Sequence, residues 1–151
     1  MADRPVLTLA DDPKAVEEFV VGLQAAVDVW DANGFNRHFA DDVLWGSPFG
    51  AVVSGYDEIH AIHSRTFAAA RGRQRRGEGG DSRYEIEHAR LVAERVAIAY
   101  VRRFSVAERG REVPGRADAF DELALFVLVQ RDGAWWLAAG LHVPDRRDVY
   151  R

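Results

Sequence analysis

Five histidines are the side chains of this 151-residue sequence that exchange protons most readily near neutral pH. His60 and His63 stand three residues apart, a spacing that can place both on one side of a helix. A zinc-protease helix needs spacing four with an intervening glutamate, and no third ligand accompanies the pair, so no metal site is assigned. His142, in a closing apolar run, is a second candidate proton carrier. The other constellation sets Asp118 and Asp121 against Arg102 and Arg103. Asp118 and Asp121 differ by three, so an undistorted strand sends them to opposite faces and only one can enter a common site. Ser47, in Gly46-Ser47-Pro48-Phe49-Gly50, is no nucleophile elbow, because GSPFG is not GxSxG. It reads as a turn residue whose hydroxyl can face a ligand. Each candidate also has a plainer reading: His63 as a hydrogen-bonded core histidine, the Asp–Arg set as cross-strand pairs, and His38 and His88 as surface residues.

These groups need elements to hold them. The stretch from Phe39 to Phe67 predicts a strand at Val43-Leu44-Trp45, a turn over residues 47–50, a second short strand at Ala51 to Ser54, and a helix after Gly55. On that helix Ile59, His63 and Phe67 form one stripe at spacing four, which turns His63 inward and His60 toward the rim. Before it, Val16, Phe19, Val20, Leu23, Val27 and Trp30 recur at three and four, a long amphipathic helix capped by Asp11 or Asp12 with Pro13 at its first position and stopped by Asn33-Gly34. A short helix over about Phe35 to Ala40 follows. Residues 1–11 and 146–151 read as tails, and 12–145 as one domain. The Gly-rich, charged run from Arg71 to Arg83 reads as a mobile loop, since no strand precedes its glycines as a phosphate loop requires.

The second half predicts four strands, at Tyr84 to Val92, Arg95 to Ala107, Ala117 to Gln130 and Ala134 to Val143. Helices followed by antiparallel strands give an α+β class, a curled sheet wrapping the long helix. Phe39, Trp45, Tyr100, Phe104 and Trp136 are candidate walls of an interior pocket, with core filling as the alternative. In the third of these strands Phe120, Ala124, Phe126 and Leu128 alternate with Leu123, Leu125, Val127 and Val129, so both faces are apolar. In the fourth, Trp135, Leu137 and Leu141 oppose Trp136 and Ala138. Helices can cover one face, and the other predicts a second copy of the sheet, a homodimer.

Composition excludes several classes. The sequence has no cysteine, hence no disulfide or thiolate chemistry, and its net charge of −4 argues against a nucleic-acid partner. It has no apolar run of membrane-spanning length and no signal-peptide pattern at its start, which predicts a cytoplasmic protein. Of 20 basic residues only Lys14 is a lysine, a bias that reads as GC-rich coding rather than chemistry.

The run Ala40 to Gly55, with its Asp-Asp, short strand, Ser-Pro, Gly and Gly-then-helix order, resembles the NTF2-like superfamily. It is similar in particular to the SnoaL-like group, which includes small accessory proteins of enediyne and polyketide biosynthesis. The closing DGAWWLAAGLHVPD is similar to that family's last strand, and the likeness spans roughly residues 12–145. The resemblance implies a three-helix cone on a curled sheet, a sheet-to-sheet homodimer, and an interior site for a hydrophobic small molecule that needs no cofactor. The superfamily's epoxide hydrolases imply an acid–arginine reading of Asp118, Asp121, Arg102 and Arg103. Its ketosteroid isomerases place an aspartate base where Ser47 stands and an oxyanion-side tyrosine where Ala26 falls, so their chemistry is disfavoured here. The function expected is therefore binding, and cyclisation, isomerisation or hydration, of a polyketide- or enediyne-derived intermediate. In that scheme His63 or His142 acts as acid–base and Asp118 orients or shares the proton. A non-catalytic chaperone and a structural dimerisation module are the alternatives.

Overall fold

The computed structural model describes residues 3–78, 81–106 and 121–150. Helix α1 (Lys14–Val29) buries Val16, Phe19, Val20, Leu23, Ala26 and Val27, the stripe set by spacings of three and four. Its ends differ from expectation. Pro13 takes the cap position with no side-chain cap bond, and the helix stops at Trp30, which is left-handed (φ 53°). Asn33-Gly34 therefore lies inside α2 (Ala32–Asn36) rather than ending α1. Asp12, the expected cap, instead donates its backbone N–H to the Ala89 carbonyl at 3.1 Å. That bond anchors a two-residue strand, β1 (Ala10–Asp11), in what the sequence reads as a tail.

β2 (Phe39–Gly46) starts four residues earlier than the expected strand, in place of the end of the second helix. A turn follows in which Ser47 Oγ accepts the backbone N–H groups of Phe49 (3.2 Å) and Ala51 (3.0 Å). β3 (Val52–Ser54) then leads through Gly55, at φ 97°, into α3 (Tyr56–Arg75). α3 buries Ile59, His63, Phe67 and Ala70; it takes in the first residues of the expected mobile loop, and β4 (Asp81–Ala93) takes in the last. The alanines and the Arg/Gln run carry the helix across Gly72 because all are good helix formers.

β4, β5 (Val96–Val106), β6 (Glu122–Arg131) and β7 (Ala134–Pro144) form an antiparallel meander. The seven-stranded order is β1-β4-β5-β6-β7-β2-β3, with β2 parallel to β7 and every other pair antiparallel. A last turn of helix, α4 (Arg147–Tyr150), follows in what the sequence reads as the closing tail.

Helices cover one face of the sheet. There Ala97, Ala99, Val101, Ala124, Phe126, Leu128 and Leu137 are almost fully buried. Phe120, assigned to the same face, lies outside the described residues. On the opposite face Tyr100, Leu141, Val143 and Leu44 are 44–52% exposed.

One irregularity in β7 decides which side chains enter the interior. Val127 pairs with Ala139 and Leu128 with Leu137, so Ala138 is an extra residue, a β-bulge. Simple alternation puts Leu137 and Leu141 on one face. The bulge reverses the parity after it, so Leu137, Gly140 and His142 face inward and Leu141 faces out.

Candidate functional site

The interior beneath β2 and β7 is ringed by aromatic side chains, and its polar groups are histidines. Trp45 lies at the centre. Phe39 stacks on it at 5.2 Å, His142 is tilted by 33° against it at 4.1 Å between ring centres, and His63 meets it edge-on at 5.0 Å. Phe35 meets His63 at 5.1 Å and Phe126 meets His142 at 5.7 Å, both edge to face. Gly140 makes room for this packing, since a Cβ there would come within 3.2 Å of the Phe126 ring and 3.5 Å of His142 Cε1.

Each buried histidine has one nitrogen tied to the protein. Asn36 is completely buried, and its Nδ2 donates to His63 Nδ1 at 2.8 Å. Its Oδ1 accepts from His60 Nδ1 at 2.9 Å. The two helical histidines that spacing suggested as metal ligands thus share an asparagine instead. No group of three histidine or carboxylate side chains is placed to hold a metal ion among the described residues. An amide NH₂ can only donate, so neutral His63 carries its proton on Nε2. His142 is the reverse: its Nδ1 donates to the Gly46 carbonyl at 2.8 Å, leaving Nε2 as a lone pair. Neither Nε2 has a hydrogen-bond partner among the described residues.

Burial keeps both rings uncharged. With smaller contributions from His142 and His60, it pushes the His63 pKa down to about 3. Burial also lowers the His142 pKa, opposed by the Gly46 carbonyl and by Glu122. At neutral pH the two rings therefore present one N–H donor, His63 Nε2, and one acceptor, His142 Nε2.

The structure brings together His63, His142, Phe39 and Trp45 from the candidate set. It places the others elsewhere. Inward-facing Ala99 and Val101 force Tyr100, Arg102 and Phe104 to the outer face by alternation. There Arg102 bonds Glu87 and Asp145, the latter at 3.1 Å, and the Arg83 guanidinium lies 5.0 Å from the Phe104 ring centre. Trp136, one residue before inward Leu137, meets exposed His38 at 5.8 Å. Ser47 is spent on its turn. Asp118 lies outside the described residues, while Asp121 Oδ1 accepts the Ser105 backbone N–H at 2.9 Å. Asn36 and Glu122 are the polar inward groups that sequence reasoning missed. A lone asparagine in a short helix carries no periodic signal, and Glu122 differs from its acidic neighbour Asp121 only by strand parity.

No protein-family model matches the sequence, and no curated protein matches it. Solved structures do match. A cystatin-like domain of unknown function from Nostoc punctiforme superposes with a TM-score of 0.70 at 20% identity, covering 91% of this chain and 81% of that one. An NTF2-like protein of unknown function from Shewanella oneidensis gives 0.67 at 12% identity, over 86% and 97% of the two chains. The fold is NTF2-like. A ketosteroid isomerase-like protein from Erwinia carotovora atroseptica gives 0.64 at 17% identity, over 87% and 95%. Within this NTF2-like cone the site is built from β2, β7, α2 and α3. No helix among the described residues is long and apolar enough to cross a membrane.

Proposed function

We propose that this protein binds a hydrophobic carbonyl compound inside the NTF2-like cone and moves a proton on it without a cofactor. The observation that carries this reading is the opposite hydrogen-bond polarity of two buried, neutral histidines packed on one tryptophan. His142 Nε2 takes a proton from the carbon beside the carbonyl and becomes imidazolium, while the electron pair moves to oxygen as an enolate. His63 Nε2–H donates a hydrogen bond to that oxygen, and the proton returns from His142 to the same or another carbon, giving exchange or isomerisation; where the enolate carbon instead attacks a second carbonyl of the ligand, the proton passes to the new alkoxide and a ring closes. Both groups start uncharged in a site of low polarity, where a developing charge gains most from fixed donors. Asn36 and Gly46 set the tautomers, so orientation of the two rings does not depend on Asp118. The SnoaL-like resemblance of residues 40–55 and of the last strand supports a polyketide- or enediyne-derived intermediate of bacterial secondary metabolism as the substrate.

A second copy of the chain covers the outer face of the sheet in this reading. The depression among Leu44, Val52, Leu125, Val127 and Leu141 holds about 190 Å³. That is less than the roughly 300 Å³ at which ligand pockets begin, so it suits side-chain packing better than a ligand.

The test is deuterium exchange of the protons beside the carbonyl of 2-acetylnaphthalene, followed by NMR in heavy water. The wild-type protein is expected to accelerate exchange, with a loss of about 100-fold in His142→Gln and a smaller loss in His63→Gln. Binding of the ketone with equal exchange rates in the wild type and the double variant would favour the non-catalytic chaperone.

A further inference from the structure

The inner face of the sheet carries a second polar group, one row beyond His142. Tyr84 of β4 pairs with Arg103 of β5, which pairs with Glu122 of β6. Arg103 and Glu122 stand two positions from buried Val101 and Ala124, and Tyr84 lies opposite Arg103, so all three share the inward face. Arg103 is committed to its neighbours. Its Nε and Nη2 reach the two Glu122 oxygens at 3.2 and 3.1 Å, and its Nη1 reaches the Ser82 and Ser105 hydroxyls at 3.3 and 3.1 Å. The pair is close to neutral overall, and its donors are spent.

Tyr84 is different. Its ring packs against the core, its backbone N–H donates to Gln24 Oε1 at 2.8 Å, and its hydroxyl has no partner among the described residues. Burial, together with Glu122 and against Arg103, raises its pKa and keeps the hydroxyl protonated. The His142 and Tyr84 rows are two residues apart, roughly 7 Å along the strands, and their strands are three spacings of roughly 4.8 Å apart. Curling of the sheet and the inward reach of both side chains bring their polar ends closer together than the backbone positions.

We infer that Tyr84 is a specificity residue that donates a hydrogen bond to a neutral oxygen at the end of the ligand remote from the histidines. The ligand class is then an extended apolar body with a carbonyl at one end and a hydroxyl or second carbonyl at the other. An anionic end group is rejected, because Glu122 already neutralises Arg103 and leaves a second carboxylate there no cation to pair with. This rests on the proposed role of the histidine pair.

Calorimetric titration of the full chain with 2-acetylnaphthalene and its 6-hydroxy and 6-carboxylate derivatives separates the two ideas. In the wild type the 6-hydroxy compound is expected to bind about fivefold tighter than the parent, and the carboxylate more weakly than both. In Tyr84→Phe the gain from the hydroxyl falls to near one. A fivefold gain that survives in Tyr84→Phe, or a carboxylate that binds best, overturns the Tyr84 inference and leaves the histidine reading standing. If Tyr84→Phe erases the gain but His142→Gln and His63→Gln bind all three compounds as the wild type does, the histidine reading fails instead. If the wild type binds none of the three, both fall.

Discussion

Arg102 and Arg103 are neighbours on one strand, each held by carboxylates, and they belong to different worlds. Arg102 faces outward and ties Glu87 and the Asp145 side chain to the sheet, with Arg147 closing on Asp145 from the chain's end at 3.0 Å. Arg103 faces inward, where burial works against its charge and Glu122 with Tyr84 and Asp121 outweighs that effect to raise its pKa. The same division runs down β6. Ala124, Phe126 and Leu128 are buried to within 4%, whereas Leu123, Leu125 and Val127 on the other side are only half-buried. The two faces are almost equally apolar in composition. What separates them is cover: helices lie over one, and among the described residues the other keeps half-exposed apolar side chains such as Tyr100, Leu141 and Leu44. Hydrophobicity alone does not name the interior of such a sheet.

The strongest way to break this contrast is by truncation on each face. Phe126→Ala removes a ring packed on Phe19, Trp45 and His142 and is expected to cost about 3–5 kcal/mol in urea unfolding. Leu125→Ala, one residue away, is expected to cost about 1 kcal/mol or less in the separated monomer. A similar cost for both, growing with protein concentration, would show that the outer face is buried in an assembly.

The charged pairs sharpen the contrast next. Glu122→Gln leaves Arg103, whose side chain is 16% exposed, without its counter-charge and is expected to cost about 3 kcal/mol. Glu87→Gln removes a partner that is 40% exposed and leaves Arg102 with Asp145, so about 1 kcal/mol or less is expected. Equal losses by thermal unfolding would contradict the assignment of Arg103 to the interior.

Acid provides a third test, specific to the inner face. The folded pKa of His63, about 3, lies below the ordinary 6.5, so the unfolded chain takes up the proton first. The stability from keeping this ring neutral is whole above pH 6.5 and is lost progressively as pH falls toward 3. Between pH 7 and pH 4.5 the loss is expected to be about 2 kcal/mol, and His63→Gln is expected to flatten that slope of unfolding free energy against pH. An unchanged slope in the variant would mean that His63 is not the group responsible.

The smallest effect belongs to the turn between β2 and β3. Ser47→Ala gives up two backbone N–H bonds in a solvent-accessible turn and is expected to cost about 1 kcal/mol, with no change in ligand affinity. A loss of affinity at unchanged stability would return Ser47 to the binding site.

How far the sequence could be read follows from the same physics. The α1 stripe, the four long strands and the inward turn of His63 are periodic features, and period survives any detail of packing. Parity along a strand does not. Counting by twos from Leu137 sends His142 outward, because a single bulged residue has no signature in the letters around Ala138. Tyr100, Phe104 and Trp136 were assigned to a pocket for being aromatic, yet their side of the sheet is fixed by small neighbours such as Ala99 that admit the helices. Helix ends were misread for a related reason. Asn33-Gly34 is a good stop signal, but Trp30, buried against Phe67 at 4.9 Å, turns the chain first.

The bulge at Ala138 also has a consequence for how such a protein changes over generations. Loss of one codon there would leave the apolar composition of β7 intact and the hydrogen-bonding ladder repairable. With the extra residue gone the ladder becomes regular, and Gly140 and His142 still turn inward. A change of one codon past the bulge, between Gly140 and His142, is what would turn His142 outward, so a lineage built on this scaffold can abandon a reactive centre there without replacing any histidine.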